Sequence, residues 1–71
     1  MNLTIDLEQE TDDRWIAEVA DLPGCLVYGA SRQEATTKVK ALALRVIADR
    51  LEHGEAVPDD LTVISFGVGA A

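Results

Sequence analysis

Apolar and polar residues alternate along the first thirty positions in short runs that predict three β-strands. The run 3–7, LTIDL, alternates strictly, which is typical of a strand with one buried side. The runs 14–20 and 25–30 are rich in large and β-branched residues and predict two more strands. Because only the short polar segment 8–13 separates the first two runs, we expect them to form an antiparallel hairpin.

The middle of the chain predicts one long helix. Ser31 and Glu34 have the spacing of a capping box, no glycine or proline follows until Gly54, and glycine is a common helix stop. The apolar surface of this helix is wide: Ala35, Val39, Leu42, Ala43, Leu44, Val46, Ile47, Ala48 and Leu51. A helix that covers only one sheet face needs a narrower stripe. The excess indicates a second contact, with another copy or another protein, or merely reflects alanine's helix propensity.

After the helix, the segment 55–60 predicts a linker and the run 61–68 predicts a fourth strand. The resulting order β-β-β-α-β belongs to the α+β class. Hairpins place the first three strands side by side, and the helical crossover lets the fourth return beside the first. We therefore predict a four-stranded sheet of order 3-2-1-4, with the helix on one face and the other face left to solvent or a partner.

Length and charge narrow the functional classes. The chain of 71 residues predicts a single domain, 1–71, without a signal peptide or membrane span, so we expect a cytoplasmic protein. The net charge of -7 disfavours direct nucleic-acid binding and favours either a basic partner or simple solubility. Seven of the thirteen acidic residues fall within the first 21 positions, and five of the six basic residues fall within 32–50.

The segment 21–31, DLPGCLVYGAS, is where catalytic chemistry could be sought, because it contains the single cysteine. A Cys25 nucleophile would need a base, and His53, the single histidine, lies at the far end of the helix. We interpret the segment as a Pro23-Gly24 turn, a strand with a buried cysteine and a helix cap. A bulge or a close backbone approach would explain Gly29.

The paired acids and the aromatic residues are the remaining candidates for a metal site or a binding site. The paired acids Asp12-Asp13 and Asp59-Asp60 fall in turn-like segments, so no metal site and no cofactor are expected. Trp15 and Tyr28 are more plausible as anchors for a protein partner than as base-stacking residues, because few basic residues surround them.

A family resemblance joins these features. The segments Trp15-Ile16-Ala17 and Asp21-Leu22-Pro23-Gly24-Cys25, followed by Gly29, Ser31 and Glu34-Ala35, resemble the N-terminal domain of HicB-like antitoxins. Ala20 replaces the first proline of the usual motif. The resemblance implies a partial ribonuclease H-like fold without the catalytic acids of ribonuclease H.

The same resemblance implies a function. HicB-like antitoxins bind and neutralise HicA, a small basic toxin that cleaves mRNA, and many carry a C-terminal DNA-binding domain. We expect a short member without that domain, without enzymatic activity or DNA binding, and with a tendency to form dimers or tetramers. The alternative is an oligomeric scaffold or small-ligand regulator of the same fold without a toxin partner. A cysteine hydrolase ranks behind both.

Overall fold

The computed structural model describes residues 1–55 and 64–69. In chain order the elements are β1 (Asn2–Gln9), β2 (Trp15–Val19), β3 (Leu26–Gly29), α1 (Arg32–Glu52) and β4 (Ser65–Val68). The sheet has the order β3-β2-β1-β4, which confirms the predicted α+β arrangement. β2 is antiparallel to both neighbours, and β4 is parallel to β1. Most of the predicted linker and the start of the predicted fourth strand, residues 56–63, lie outside the described residues.

The helix packs on one face of the sheet and forms the core with it. The odd-numbered residues of β1 are buried there because strict alternation puts them all on the same side. α1 lies over β3 and β2 and reaches β1. The helix covers β4 only slightly. Val68 of β4 pairs with the fully buried Ile5 but is itself 51% exposed. Among the described residues, the buried members of the core are Leu3, Ile5, Leu7, Ala17, Val19, Leu22, Cys25, Ala35, Val39, Ala43 and Ile47.

Two glycines set the path from β2 into the helix. Gly24 has a φ of +82°, which confirms that the Pro23-Gly24 segment turns through a conformation that glycine favours. Gly29 is needed for a different reason. A Cβ atom added to it would lie 2.5 Å from the backbone nitrogen of Ala35. The close backbone approach predicted at Gly29 is therefore confirmed, and it joins the end of β3 to the first turn of α1.

A capping box begins the helix, with one difference from the predicted pairing. The Ser31 hydroxyl accepts a hydrogen bond from the Glu34 N–H at 3.0 Å, as predicted. The Glu34 carboxylate, however, accepts from the Ala30 N–H at 3.3 Å and not from the Ser31 N–H. The Lys38 ammonium at 2.8 Å, together with this N–H, lowers the pKa of Glu34 below its ordinary value. The carboxylate therefore stays ionised at the helix N-terminus, where negative charge is favourable.

The wide apolar surface of the helix divides into two parts. Ala35, Val39, Ala43 and Ile47 face the sheet and are buried, while Leu42 and Val46 are partly buried beside them. Leu44 and Leu51 lie away from the sheet and are 47% and 51% exposed.

Candidate protein-binding face of the sheet

The sheet face opposite the helix is uncovered in the described structure, and we call it the open face. Strand alternation and the observed register assign it the side chains that point away from α1. On β1, β2 and β3 these are Asn2, Thr4, Asp6, Glu8, Ile16, Glu18, Leu26 and Tyr28.

Carboxylates concentrate on the β1 and β2 part of the open face. Asp6 lies directly opposite Glu18 in the antiparallel register, and Glu8 is the next outward residue along β1. All three side chains are exposed, and none of them forms an ion pair with any residue in the described ranges. Like charges directly opposite each other on one sheet face are destabilising. The opposed carboxylates therefore repel each other, and a positive charge placed between them would relieve that repulsion.

Apolar side chains occupy the neighbouring β3 part of the open face. Tyr28 pairs across the strands with Ile16, and Leu26 pairs with Glu18. Tyr28 is 45% exposed and Leu26 is 42% exposed, which is high for large side chains on a sheet. The open face thus combines an aromatic and aliphatic strip with an adjacent acidic strip.

Arg14 lies at the end of this apolar strip and is already paired within the chain. Its guanidinium carbon is 4.7 Å from the centre of the Tyr28 ring, which is within the range of a cation–π contact. Its Nε donates to an Asp12 carboxylate oxygen at 2.8 Å. The pKa of Asp12 is lowered, first because the Arg14 backbone N–H donates to it and then because of this guanidinium. Asp12 and Arg14 thus form a surface ion pair beside Tyr28, and the acidic strip stays uncompensated.

The two aromatic residues predicted as partner anchors lie on opposite sides of the sheet. Tyr28 is on the open face, whereas Trp15 is on the helix side, half-buried and packed against the core. The guanidinium carbon of Arg32 is 5.9 Å from the Trp15 ring centre. The structure therefore does not bring Trp15 and Tyr28 together. Ile16, Leu26, Asp6 and Glu18, which the sequence prediction did not include, join Tyr28 instead.

Cys25 is buried one residue before β3, as the interpretation of its segment predicted, although it lies outside the strand itself. It is 1% exposed, and its sulfur is 3.9 Å from the Val39 carbonyl oxygen. Burial raises the pKa of the thiol above its ordinary value, so the neutral form dominates near neutral pH. A neutral, enclosed thiol is a poor nucleophile.

We expect Cys25 to be unreactive in the folded chain. Ellman's reagent should modify it only after denaturation, because both access and ionisation are suppressed in the fold. The raised pKa in the fold also makes stability depend on pH. The contribution of the neutral, buried thiol to the free energy of unfolding is complete below the pKa of the unfolded thiol, and it is lost as the pH rises through the folded-state pKa. Cys25→Ala should abolish that alkaline loss. Stoichiometric labelling of the native chain at neutral pH, with its circular dichroism unchanged, would contradict the buried assignment.

Metal and membrane sites are not evident in the part of the chain that the structure describes. In residues 1–55 and 64–69, no three acidic, histidine or cysteine side chains are grouped so that they could hold a metal ion. Asp59 and Asp60 lie outside those ranges. No described helix has the length and apolar character that crossing a bilayer requires.

The fold and the open face define a small α+β domain with one uncovered sheet face, on which an apolar strip lies beside an acidic strip. The chain is 28% identical over 60 residues to the UPF0150 protein Ta0767 of Thermoplasma acidophilum, and the match covers 84% of this chain and 87% of that protein. No protein-family model matches the chain. No solved structure matches it.

Proposed function

We propose that this protein is a HicB-like antitoxin module that binds a small basic HicA-type toxin and neutralises it by covering its surface. The observation that carries the proposal is the directly opposed pair Asp6 and Glu18 on an exposed sheet face. A stable domain gains nothing from this pair in isolation, because the two carboxylates repel each other. A partner that brings Lys or Arg side chains between them relieves the repulsion and gains two ion pairs.

The neighbouring apolar strip supplies what charge alone does not. Ion pairs at an exposed rim contribute little affinity, whereas aromatic residues in a desolvated centre often dominate it. Tyr28 and Leu26 lie beside the carboxylates and are exposed enough to be covered by a partner. The proposed contact therefore has an apolar centre at β3, with the carboxylates of β1 and β2 steering the basic partner toward it.

Two further observations support the toxin as the partner. The residues that resemble the HicB-like pattern extend from β2 through the start of α1, and these elements hold Tyr28 and Glu18 in place. The net charge of -7 is opposite in sign to that of a small basic RNA-cleaving protein. An acidic face that covers a basic RNA-binding surface would exclude the RNA, so the module needs no catalytic group of its own.

Co-expression tests this function directly. The test uses a HicA-type toxin that is encoded in the same genome as this chain. When both are expressed in one cell, we expect the chain to rescue growth and to co-purify with the toxin. The complex should weaken as salt is raised, because charge pairs are screened. Tyr28→Ala should weaken it by about 30-fold, the loss expected at an aromatic anchor. Thr4→Ala, on the same face but outside both strips, is the matched control.

Three results would contradict the proposal. The genome could lack a small basic toxin of this type, the wild-type chain could fail to rescue growth while remaining folded, or Tyr28→Ala and Thr4→Ala could bind equally well. Trp15→Ala serves a separate purpose. Because Trp15 packs against the core, we expect this variant to lose stability, and any loss of toxin affinity at equal folded concentration would restore Trp15 as an anchor.

A further inference from the structure

A second surface of the chain, which the toxin-binding proposal does not use, is a groove between α1 and the edge strand β3. It has a volume of about 410 Å³ and is lined by Val27, Thr37, Lys38, Ala41, Leu42 and Arg45. Val27 and Leu42 are partly buried against the core, whereas Lys38 and Arg45 are exposed. The groove therefore combines an apolar floor with two cationic side chains.

The backbone of β3 is available along the outer side of this groove. β3 is the last strand on its side of the described sheet. The Val19 N–H donates to the Cys25 carbonyl oxygen at 2.9 Å, and successive residues of an antiparallel strand direct their backbone groups to alternate sides. The backbone groups of Val27 therefore point to β2, and the N–H and carbonyl of Tyr28 point to the edge, where no described strand pairs with them. Such an edge is a template for another extended segment.

Charge selects the kind of segment that fits. α1 contains five of the six basic residues of the chain but only three of its thirteen acidic residues, so this helix is positive in an acidic chain. Arg45 forms no ion pair with a residue in 1–55 or 64–69, and Lys38 pairs only with Glu34. Carboxylates would be attracted to the groove, whereas a basic segment, such as one from the proposed toxin, would be repelled.

From these observations we infer that the β3 edge binds an extended acidic segment of a protein partner, which adds to the sheet beside β3. Alternate side chains of such a segment face the groove. Lys38 and Arg45 are seven residues apart, which is about 10 Å along a helix, and two residues four apart in a strand are separated by a similar distance, about 13 Å. The groove therefore fits the pattern acid-x-aliphatic-x-acid, with the aliphatic side chain against Val27 and Leu42 and the carboxylates toward the two cations.

A second copy of the chain is a poorer occupant of this edge. Two β3 strands paired antiparallel across a two-fold axis would form one continuous sheet with both helices on the same side. Lys38 and Arg45 of each copy would then approach those of the other, and like charges would meet across the new pair of strands. A separate acidic segment meets no such repulsion.

Three synthetic peptides of seven residues test the inference without any toxin. The peptide TETVTET places its valine and both glutamates on one face of a strand. ETTVTTE has the same composition but places the glutamates on the face opposite the valine, and TKTVTKT reverses the charge. Fluorescence anisotropy of the labelled peptides should show saturable binding of TETVTET, at least about tenfold tighter than binding of either control.

Two variants and one exchange measurement locate the contact. Arg45→Glu should weaken binding of TETVTET at least about tenfold, because a peptide carboxylate would then face another carboxylate. The matched control is Lys40→Glu, which reverses an exposed basic residue of the same helix that does not line the groove. Circular dichroism should show that both variants keep the helix. Bound peptide should slow hydrogen exchange at the Tyr28 amide, whereas the Val27 amide, which already points to β2, should change little.

The inference is wrong if TETVTET shows no saturable binding at millimolar concentration, or if either control peptide binds the wild-type chain as tightly. It is also wrong if Arg45→Glu and Lys40→Glu bind TETVTET equally well. Binding that leaves exchange at the Tyr28 amide unchanged would mean that the peptide does not pair with β3, and it too would overturn the inference. Because no toxin is present, none of these results depends on the proposed antitoxin function.

Discussion

Replacing both Asp6 and Glu18 by lysine should abolish toxin neutralisation while leaving the fold intact. The double variant keeps two like charges opposite each other, so its stability should change little, but the sign of the acidic strip is reversed. Toxin affinity should fall by about 100-fold or more, which corresponds to about 2.7 kcal/mol. Titration calorimetry measures the affinity, and urea unfolding verifies the stability.

The neutral variant Asp6→Asn with Glu18→Gln separates binding from folding. Because it removes the cross-strand repulsion, it should stabilise the chain by about 0.5 kcal/mol while weakening toxin binding. Glu55→Lys is the matched control, since it reverses an exposed charge beyond the helix end, far along the chain from either strand. Unchanged affinity in the double lysine variant would refute the assignment of the open face, even if the wild-type chain neutralises the toxin through another surface.

Gly29→Ala should destabilise the fold more than alanine at any other described glycine. The new Cβ would lie 2.5 Å from the Ala35 nitrogen and 2.9 Å from its Cα, and backbone cannot rotate away as a side chain can. Either β3 or the first turn of α1 must move. We expect a loss of about 3 kcal/mol, which is a large part of the stability of so small a domain. Urea unfolding followed by circular dichroism measures this loss.

Gly67→Ala provides the comparison for that prediction. Gly67 also lies in a strand, it has no left-handed φ, and an added Cβ would meet no atom within 4 Å. Its unfolding midpoint should change little or rise slightly, because alanine restricts the unfolded chain more than glycine does. Equal unfolding midpoints for the two variants would contradict this prediction. They would show that β3 and α1 can move apart to accept a methyl group at residue 29 without a loss of stability.

The sequence predicts only part of the candidate site. Alternation in the first strand already placed Asp6 on the side opposite Leu3 and Ile5, and an exposed acid was therefore predictable. That Asp6 faces Glu18 depends on the register between β1 and β2, which the length and conformation of the intervening turn determine. A shift of one residue would have exchanged the faces of β2, placing Trp15 on the open face and Ile16 on the helix side.

The local pattern of residues determined the elements of this protein. Strict alternation specifies β1, and the Ser31 and Glu34 spacing begins α1. The succession of three strands, a helix and a returning strand made the observed sheet order the most economical one. These features depend on neighbours along the chain, so they can be recognised without the fold.

Tertiary structure alone decided which of these surfaces remain available. The position at which α1 crosses the sheet buries Ile47 and leaves Leu44 and Leu51 exposed, although all three belong to one wide apolar surface in the sequence. Strand register likewise separates Tyr28 from Trp15. Both outcomes depend on how whole elements pack, because a residue's exposure is determined by what lies across from it and not by its neighbours in the chain.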